Sequence, residues 1–247
     1  MQQSLTIPAR FRGPPDSGNG GYVSGAIAER FDSAASAIEV TLRAPTPLDT
    51  PLDVNTIDAD SLRVVHDDTL ICEARRTDLE LSVPAPPDYS AAAQAQKNSA
   101  SFIPGINPLI PDGLGFHPIC FCCGANLPPE EGLHVHAAPL PEFAGVAAAW
   151  RPHRSFADAD GLLPTTVIWT ALDCPGQFAW YATGTKTGLL GRMTASVLEP
   201  VSAEQNLLVT GWCIDSERSK YFAGTALFTE SGTLCAYSKQ VWIGKQD

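Results

Sequence analysis

The sequence contains no run of basic residues longer than two, and its 16 Lys+Arg are outnumbered by 27 Asp+Glu, for a formal net charge of -11. A protein that grips phosphate backbones needs clustered positive charge, so a nucleic-acid partner is not expected. Long apolar runs are also missing. Stretches such as Leu162 to Leu172 are interrupted by Pro, Thr and Trp, well short of the roughly 20 residues that cross a bilayer. Met1-Gln2-Gln3-Ser4 opens no basic-then-apolar signal segment, and the chain reads as cytoplasmic with no membrane partner. Charged residues make up only 17% of the chain, against roughly 25% in ordinary soluble domains. The 44% hydrophobic content and the scattering of 20 Gly and 21 Pro exclude a disordered or low-complexity protein. The 247 residues suffice for one large core or two small ones. Seven Cys, an odd number unevenly spread, form no secreted disulfide framework and fit reduced thiols.

What the chain does have is a concealed repeat. Moving on 155 residues from Ile38, Val40, Leu42, Pro45, Leu52 and Val54 reaches Met193, Ala195, Val197, Pro200, Leu207 and Val209, so apolar meets apolar and proline meets proline. Val64 to Cys72 likewise parallels Leu227 to Cys235 in the same pattern, each copy holding a turn pair, Asp67-Asp68 or Ser231-Gly232. Each half runs from a segment of helical spacing to several β-branched or alternating stretches. Helices are expected over Gly20 to Phe31 and Thr165 to Thr183. Strands are expected over Ala37 to Arg43, Leu52 to Ile57, Ser61 to His66 and Leu70 to Thr77, then Leu189 to Leu198, Leu207 to Ile214, Tyr221 to Phe228 and Leu234 to Ile243. Helix first and strands after points to α+β with antiparallel pairing. A proline-rich connector, 84-118, with one short helix near Ala91-Ala92-Ala93, separates an N-terminal repeat (1-83) from a C-terminal one (119-247).

This duplicated unit resembles the hotdog fold, here as a double hotdog in one chain. Cys120-Phe121-Cys122-Cys123-Gly124-Ala125-Asn126, followed by Gly132-Leu133, is similar to the C-F-x-C-G segment that opens many hotdog thioesterase-like domains. Asn19-Gly20-Gly21 stands where the family's His-Gly-Gly or Asn-Gly-Gly begins the central helix, and Asp173 closes an apolar run where the family's acid would stand. Each half keeps one part of the pattern: the second has Pro164-Thr165-Thr166 at its helix start, and the first has Ala28, then Glu29, where the acid belongs.

Hotdog active sites lie between two units, so the resemblance implies one competent pocket that joins Asn19-Gly20-Gly21 to Asp173, and a second, incompetent one between Pro164-Thr165-Thr166 and Ala28 or Glu29. The implied activity is hydrolysis of acyl-CoA or another acyl thioester, without a cofactor, by a monomer or homodimer. In that scheme the backbone of Gly21 and Asn19 acts with Asp173 in catalysis, and Gly20, Thr170, Gln177 and Trp169 contact substrate. A helix N-terminus is a preorganised donor for a developing oxyanion. Glycine lets a ligand approach the main chain, and a carboxylate in an apolar run must be paired, hydrated or functional. Trp180 is a further candidate for an acyl tunnel, and Asp16 belongs to a turn.

Competing constellations are present. His117, Cys120, Cys122, Cys123, His134 and His136 form the densest group of metal-ligand types, and Cys120-x-x-Cys123 has zinc-knuckle spacing. A second clean pair is missing, so no metal is expected. His134 and His136 alternate as on a strand. Cys174, beside Pro175, offers a possible nucleophile, and His153 a possible acid-base group for a 2-enoyl-CoA hydratase. A chain lacking half of each motif could also bind an acyl-CoA or lipid-like ligand without turnover.

Overall fold

The computed structural model describes residues 3–31, 37–108 and 110–244. Its first half contains β1 (Gln3–Leu5), α1 (Gly20–Ala28), β2 (Ala37–Leu42), β3 (Leu52–Asp58), β4 (Ser61–His66) and β5 (Thr69–Thr77). The connector carries α2 (Tyr89–Ala95), and the second half contains β6 (Ala138–Leu140), β7 (Phe143–Trp150), α3 (Thr165–Ala182), β8 (Leu190–Val197), β9 (Leu207–Glu217), β10 (Lys220–Thr229) and β11 (Leu234–Ile243). All strands join one 11-stranded sheet of order β1-β3-β4-β5-β2-β8-β11-β10-β9-β7-β6, every paired neighbour antiparallel.

Reading outward from the β2·β8 seam, both halves present the same succession, β2-β5-β4-β3-β1 and β8-β11-β10-β9-β7. Across the seam Ile38 faces Ala195, Glu39 faces Thr194 and Val40 faces Met193. Adding 155 to Glu39 gives Thr194, the residue that it faces across the seam. The hairpins agree as well. The register of β4·β5 slips between Val64 and Val65, that of β10·β11 between Leu227 and Phe228, at equivalent places. The β4·β5 turn is the tight Asp67-Asp68 pair, with Asp67 at φ 50. The other turn is one residue longer and closes through Gly232 at φ 89, with Thr229 N–H donating to the Thr233 carbonyl.

α1 and α3 cross on one face of the sheet. They touch where Gly21 and Gly25 of α1 meet Trp169, Thr170 and Thr166 of α3. A Cβ on Gly21 would lie 2.6 Å from the Trp169 carbonyl oxygen, and one on Gly25 would lie 2.8 Å from the Thr166 Cα, so two glycines one turn apart let the helices approach almost to backbone contact. α1 ends at Ala28, earlier than Phe31, in a tightened last turn with Arg30 N–H donating to Ile27 and Phe31 N–H to Ala28. α3 runs through Pro175.

On the opposite face the connector covers the second half. Asp88 caps α2 by accepting from Ala91 N–H at 3.0 Å, and α2 buries Ala92 against Leu208, Trp212, Ala147, Ala226 and Phe228. The adjacent residues Leu207, Val209, Val146 and Leu227 join the helix-side core, which is the two-residue alternation of strands covered on both sides. The outer surface of the first half stays polar, with Glu73 paired to Arg43 and Arg63, and Glu39 to Arg75 and Arg192.

Three strands have no counterpart among the expected ones: β1, β6 and β7. β7 is alanine-rich (Phe143-Ala144-Gly145-Val146-Ala147-Ala148-Ala149-Trp150) and lacks the β-branched signal. His134 and His136, expected on a strand, lie in an irregular segment with His134 at φ 53, yet their rings still face each other, Nδ1 to Nε2 at 3.3 Å. No described helix is long and apolar enough to cross a membrane.

Candidate active site

Asn19 ends the turn-rich entry to α1 in extended backbone, and its side-chain oxygen accepts the Tyr22 N–H at 2.9 Å. The cap leaves its amide nitrogen pointing the other way. That nitrogen donates to Asp173 Oδ2 at 2.8 Å and approaches Cys120 Sγ at 3.7 Å. Asp173 comes from the middle of α3, and the helix crossing brings its carboxylate to the N-terminus of α1, where Gly21 N–H donates to the same Oδ2 at 3.1 Å. Asn19, Gly21 and Asp173, from opposite halves of the chain, therefore form one hydrogen-bonded group.

Only 3% of Asp173 is exposed, and its Oδ1 is buried without a hydrogen-bond partner among the described residues. Burial and the neighbouring Cys120 thiol push its carboxyl up to about 7, against the pull of the Gly21 N–H and the Asn19 amide. A cavity of about 420 Å³ opens beside it, lined by Asp173, Gln177, Gly20, Cys120, Cys174 and His117 among others. This lies within the size range of ligand clefts.

The remaining expected site residues divide. Gly20 and Gln177 line the cavity, although the Gln177 amide is committed to the Gly188 carbonyl at 2.9 Å. Gly20 is the first residue of α1, and its N–H, unlike those of Gly21, Tyr22 and Val23, has no acceptor among the described residues. The donor available to a ligand is therefore Gly20 rather than Gly21. Thr170 is fully buried and its hydroxyl donates to the Thr166 carbonyl of its own helix at 2.6 Å, so it does not reach the cavity. Trp169 is 2% exposed and packs at the α1 crossing. Both were expected at substrate, and both instead build the helix interface. Trp180 and Asp16 likewise lie off the cavity, Trp180 donating to the Phe222 carbonyl at 3.2 Å. His153 is exposed and caps a single helical turn through Ser155, away from the cavity, whereas His117 lines it.

At the pseudo-equivalent helix start Thr166 N–H donates to Glu29 Oε1 at 3.2 Å. Here the acid is exposed and pairs with a helix that Pro164 begins without a side-chain cap.

Sequence reasoning left Cys174 apart from Cys120 and Cys123; the structure gathers the three, with Cys120 and Cys174 sulfurs 3.8 Å apart. Hydrogen bonds from Cys123 and Cys174 hold the Cys120 thiol well below the usual range, while those two are raised. No spacing rule joins residue 120 to residue 174; only the packing of α3 against the Cys120 loop does.

No family model matches the sequence, and no curated protein does. Solved structures do match. A provisionally assigned thioesterase from Novosphingobium aromaticivorans DSM 12444 is 16% identical, with 99% of this chain and 96% of that one covered at a TM-score of 0.66. A conserved protein with a hot dog fold from Alicyclobacillus acidocaldarius is 12% identical, covering 100% and 94% at 0.63. An acyl-CoA thioesterase II, TesB2, from Mycobacterium marinum is 13% identical, covering 99% and 93% at 0.57. Helix-bearing antiparallel architecture and whole-length similarity agree, and the chain has the hotdog fold.

Proposed function

We propose that the chain is a double hotdog, with repeats over 1-83 and 119-247 joined by the 84-118 connector, and that it hydrolyses an acyl thioester such as an acyl-CoA at one asymmetric site. The observation that carries this reading is the buried Asp173 carboxylate, one oxygen held by Asn19 and Gly21 and the other unpartnered, on the wall of a cavity that the N-terminus of α1 also lines.

The geometry supports the following sequence. The thioester carbonyl oxygen takes the Gly20 N–H, whose helix dipole stabilises the negative charge that develops there. Asp173 accepts a proton from water through its free oxygen while the water oxygen adds to the carbonyl carbon. Collapse of the tetrahedral species breaks the carbon–sulfur bond, and the proton on Asp173 passes to the leaving thiolate, giving a carboxylic acid and a thiol. Asn19 acts as a positioning residue, because it holds both the helix cap and the carboxylate. The fold of the thioesterases named above supports the reaction class, and fold alone does not dictate it.

The test is a chromatographic assay of thioester loss over short, medium, long and aromatic acyl-CoAs, comparing wild type with Asp173→Asn. Asparagine keeps the shape, and its oxygen can still accept from Asn19 and Gly21. Hydrolysis of one substrate class by wild type, with a loss of about 100-fold or more in the variant, supports the reading. Tight acyl-CoA binding by wild type with no turnover refutes it in favour of a ligand-binding protein. Because His117 shares the cavity wall with Asp173, the panel includes a 2-enoyl-CoA; water addition without thioester loss would instead establish a hydratase.

A further inference from the structure

We propose that Cys120, Cys123 and Cys174 bind one thiophilic metal ion, zinc by preference, through three sulfurs, leaving its fourth position toward the cavity. The three sulfur atoms lie within 4.8 Å of one another and all three residues are buried. Cys120 and Cys174 sulfurs stand 3.8 Å apart. A tetrahedral zinc with bonds of about 2.3 Å separates its sulfur ligands by about 3.8 Å, whereas a disulfide would bring them to about 2.05 Å. The Cys120–Cys174 spacing matches that of two sulfurs on one zinc ion.

Thiols are weak hydrogen-bond donors and acceptors, so three of them gain little from one another's company. The surroundings are nonetheless shaped to hold them together. Cys120 and Cys123 sit on one tight turn, in which Gly124 N–H donates to the Cys120 carbonyl at 2.8 Å and Cys120 N–H to that of His117 at 3.0 Å. A Cβ on Gly124 would fall 2.6 Å from the Cys120 nitrogen and oxygen, so glycine is required where the chain folds back over the pair. The third sulfur comes from a different element, α3, at the residue before Pro175. A separate observation suits Cys120 as a ligand: the buried Asn19 amide, whose oxygen caps α1, aims an N–H at its Sγ from 3.7 Å. Such a donor outside the ligand set orients a thiolate and tunes the metal.

Thiolate ligands and a four-coordinate geometry select zinc over the oxygen-seeking cations. Binding exchanges three thiol protons for the ion, and the protons pass to the buffer. Cys120 and Cys174 line the cavity whereas Cys123 does not, so the open side of the three-sulfur set faces the cavity, where water completes the coordination. The metal site shares Asn19 and the cavity with the hydrolysis reading, but its test is independent of that reading, since it needs neither substrate nor turnover.

The full-length, untagged chain, purified under reducing conditions without chelator, is assayed for metal by mass spectrometry. About one zinc per chain is expected, falling at least tenfold in Cys123→Ser and in Cys174→Ser. Chelator-stripped wild type titrated with Co²⁺ should develop an intense sulfur-to-cobalt charge-transfer band that saturates at one equivalent. The cobalt titration uses only wild type, so it decides the question even where a serine variant fails to fold. Reduced wild type with less than about a tenth of a zinc per chain and no cobalt band overturns the proposal. Full zinc retention by a folded Cys123→Ser variant overturns it too, as does a native Cys120–Cys174 disulfide.

Discussion

Gly21→Ala places one methyl group where the two helices cross. The added carbon would lie 2.6 Å from the Trp169 carbonyl oxygen, 2.7 Å from the Asp173 Cβ and 3.0 Å from the Thr170 Cα. Ordinary contact begins near 3.4 Å, so α3 must retreat by most of an ångström at this point, and two of the three obstacles are backbone. Overpacking of this kind costs about 1–3 kcal/mol. The retreat also stretches the 3.1 Å bond from Gly21 N–H to Asp173 Oδ2, which costs roughly another 1 kcal/mol. Better helix propensity of alanine returns up to about 1 kcal/mol. The net loss is about 1–3 kcal/mol, read as a lower urea midpoint at unchanged slope.

Two controls isolate the cause. Gly25→Ala meets the Thr166 Cα at 2.8 Å and should destabilise comparably while leaving the Asp173 hydrogen bonds nearer intact, so its thioester turnover should fall less than that of Gly21→Ala. Gly20→Ala points at the Leu190 side chain, 2.9 Å away, which can rotate, and it should cost under about 1 kcal/mol. A Gly21→Ala protein as stable as wild type would refute the claim that backbone-to-backbone proximity sets the helix crossing.

Asn19→Ser should keep most of the helix cap yet lose the amide donor to Asp173, so stability changes by about 0.5 kcal/mol or less while turnover drops; equal losses in both would show that Asn19 serves only the fold. Glu29→Gln at the opposite helix end should leave thioester turnover unchanged and cost at most about 1 kcal/mol, measured by urea unfolding and the acyl-CoA assay. His136 has its pKa lowered from 6.5 to about 4, mainly by burial and then by His134 beside it. The unfolded chain therefore binds more protons than the native one between these values. The neutral ring supports full stability above pH 6.5, and about 3 kcal/mol is lost as the pH falls toward 4. Urea unfolding across that interval should be steeper in pH for wild type than for His136→Gln, and parallel curves would sink the assignment.

Much of this architecture was legible because the two halves of the sequence carry matching patterns, a signal that periodicity alone does not give. The 155-residue offset aligned Ile38 with Met193 and Val40 with Ala195, and in the structure these four residues pair crosswise, Ile38 with Ala195 and Val40 with Met193; the partition of Asn19 and Asp173 between halves made sense only across a shared interface. What stayed hidden depended on tertiary packing. Alanines in β7 gave no strand signal because their propensity is low, and Ala147 and Ala148 are buried there by neighbours on opposite faces. Thr170 and Trp169 share a helix with Asp173 but point at α1, and the crossing that turns them away is set by Gly21 and Gly25. Cys174 meets Cys120 across 54 residues, and His117 reached the cavity where His153 did not, both through loops whose course carries no periodic signature.

The β2·β8 seam, with Glu39 opposite Thr194 on its axis, has a consequence for how the two helix ends are able to differ. When two identical chains assemble, any substitution is made in both sites at once, and an alteration tolerated by one is imposed on the other. One polypeptide carrying both halves is released from that coupling: Asp173 can be buried against a capped glycine helix start while Glu29, at the matching end, stays exposed beside a proline. Only the residues along the seam remain bound to a common shape, because each half must still offer the other a strand of fitting register.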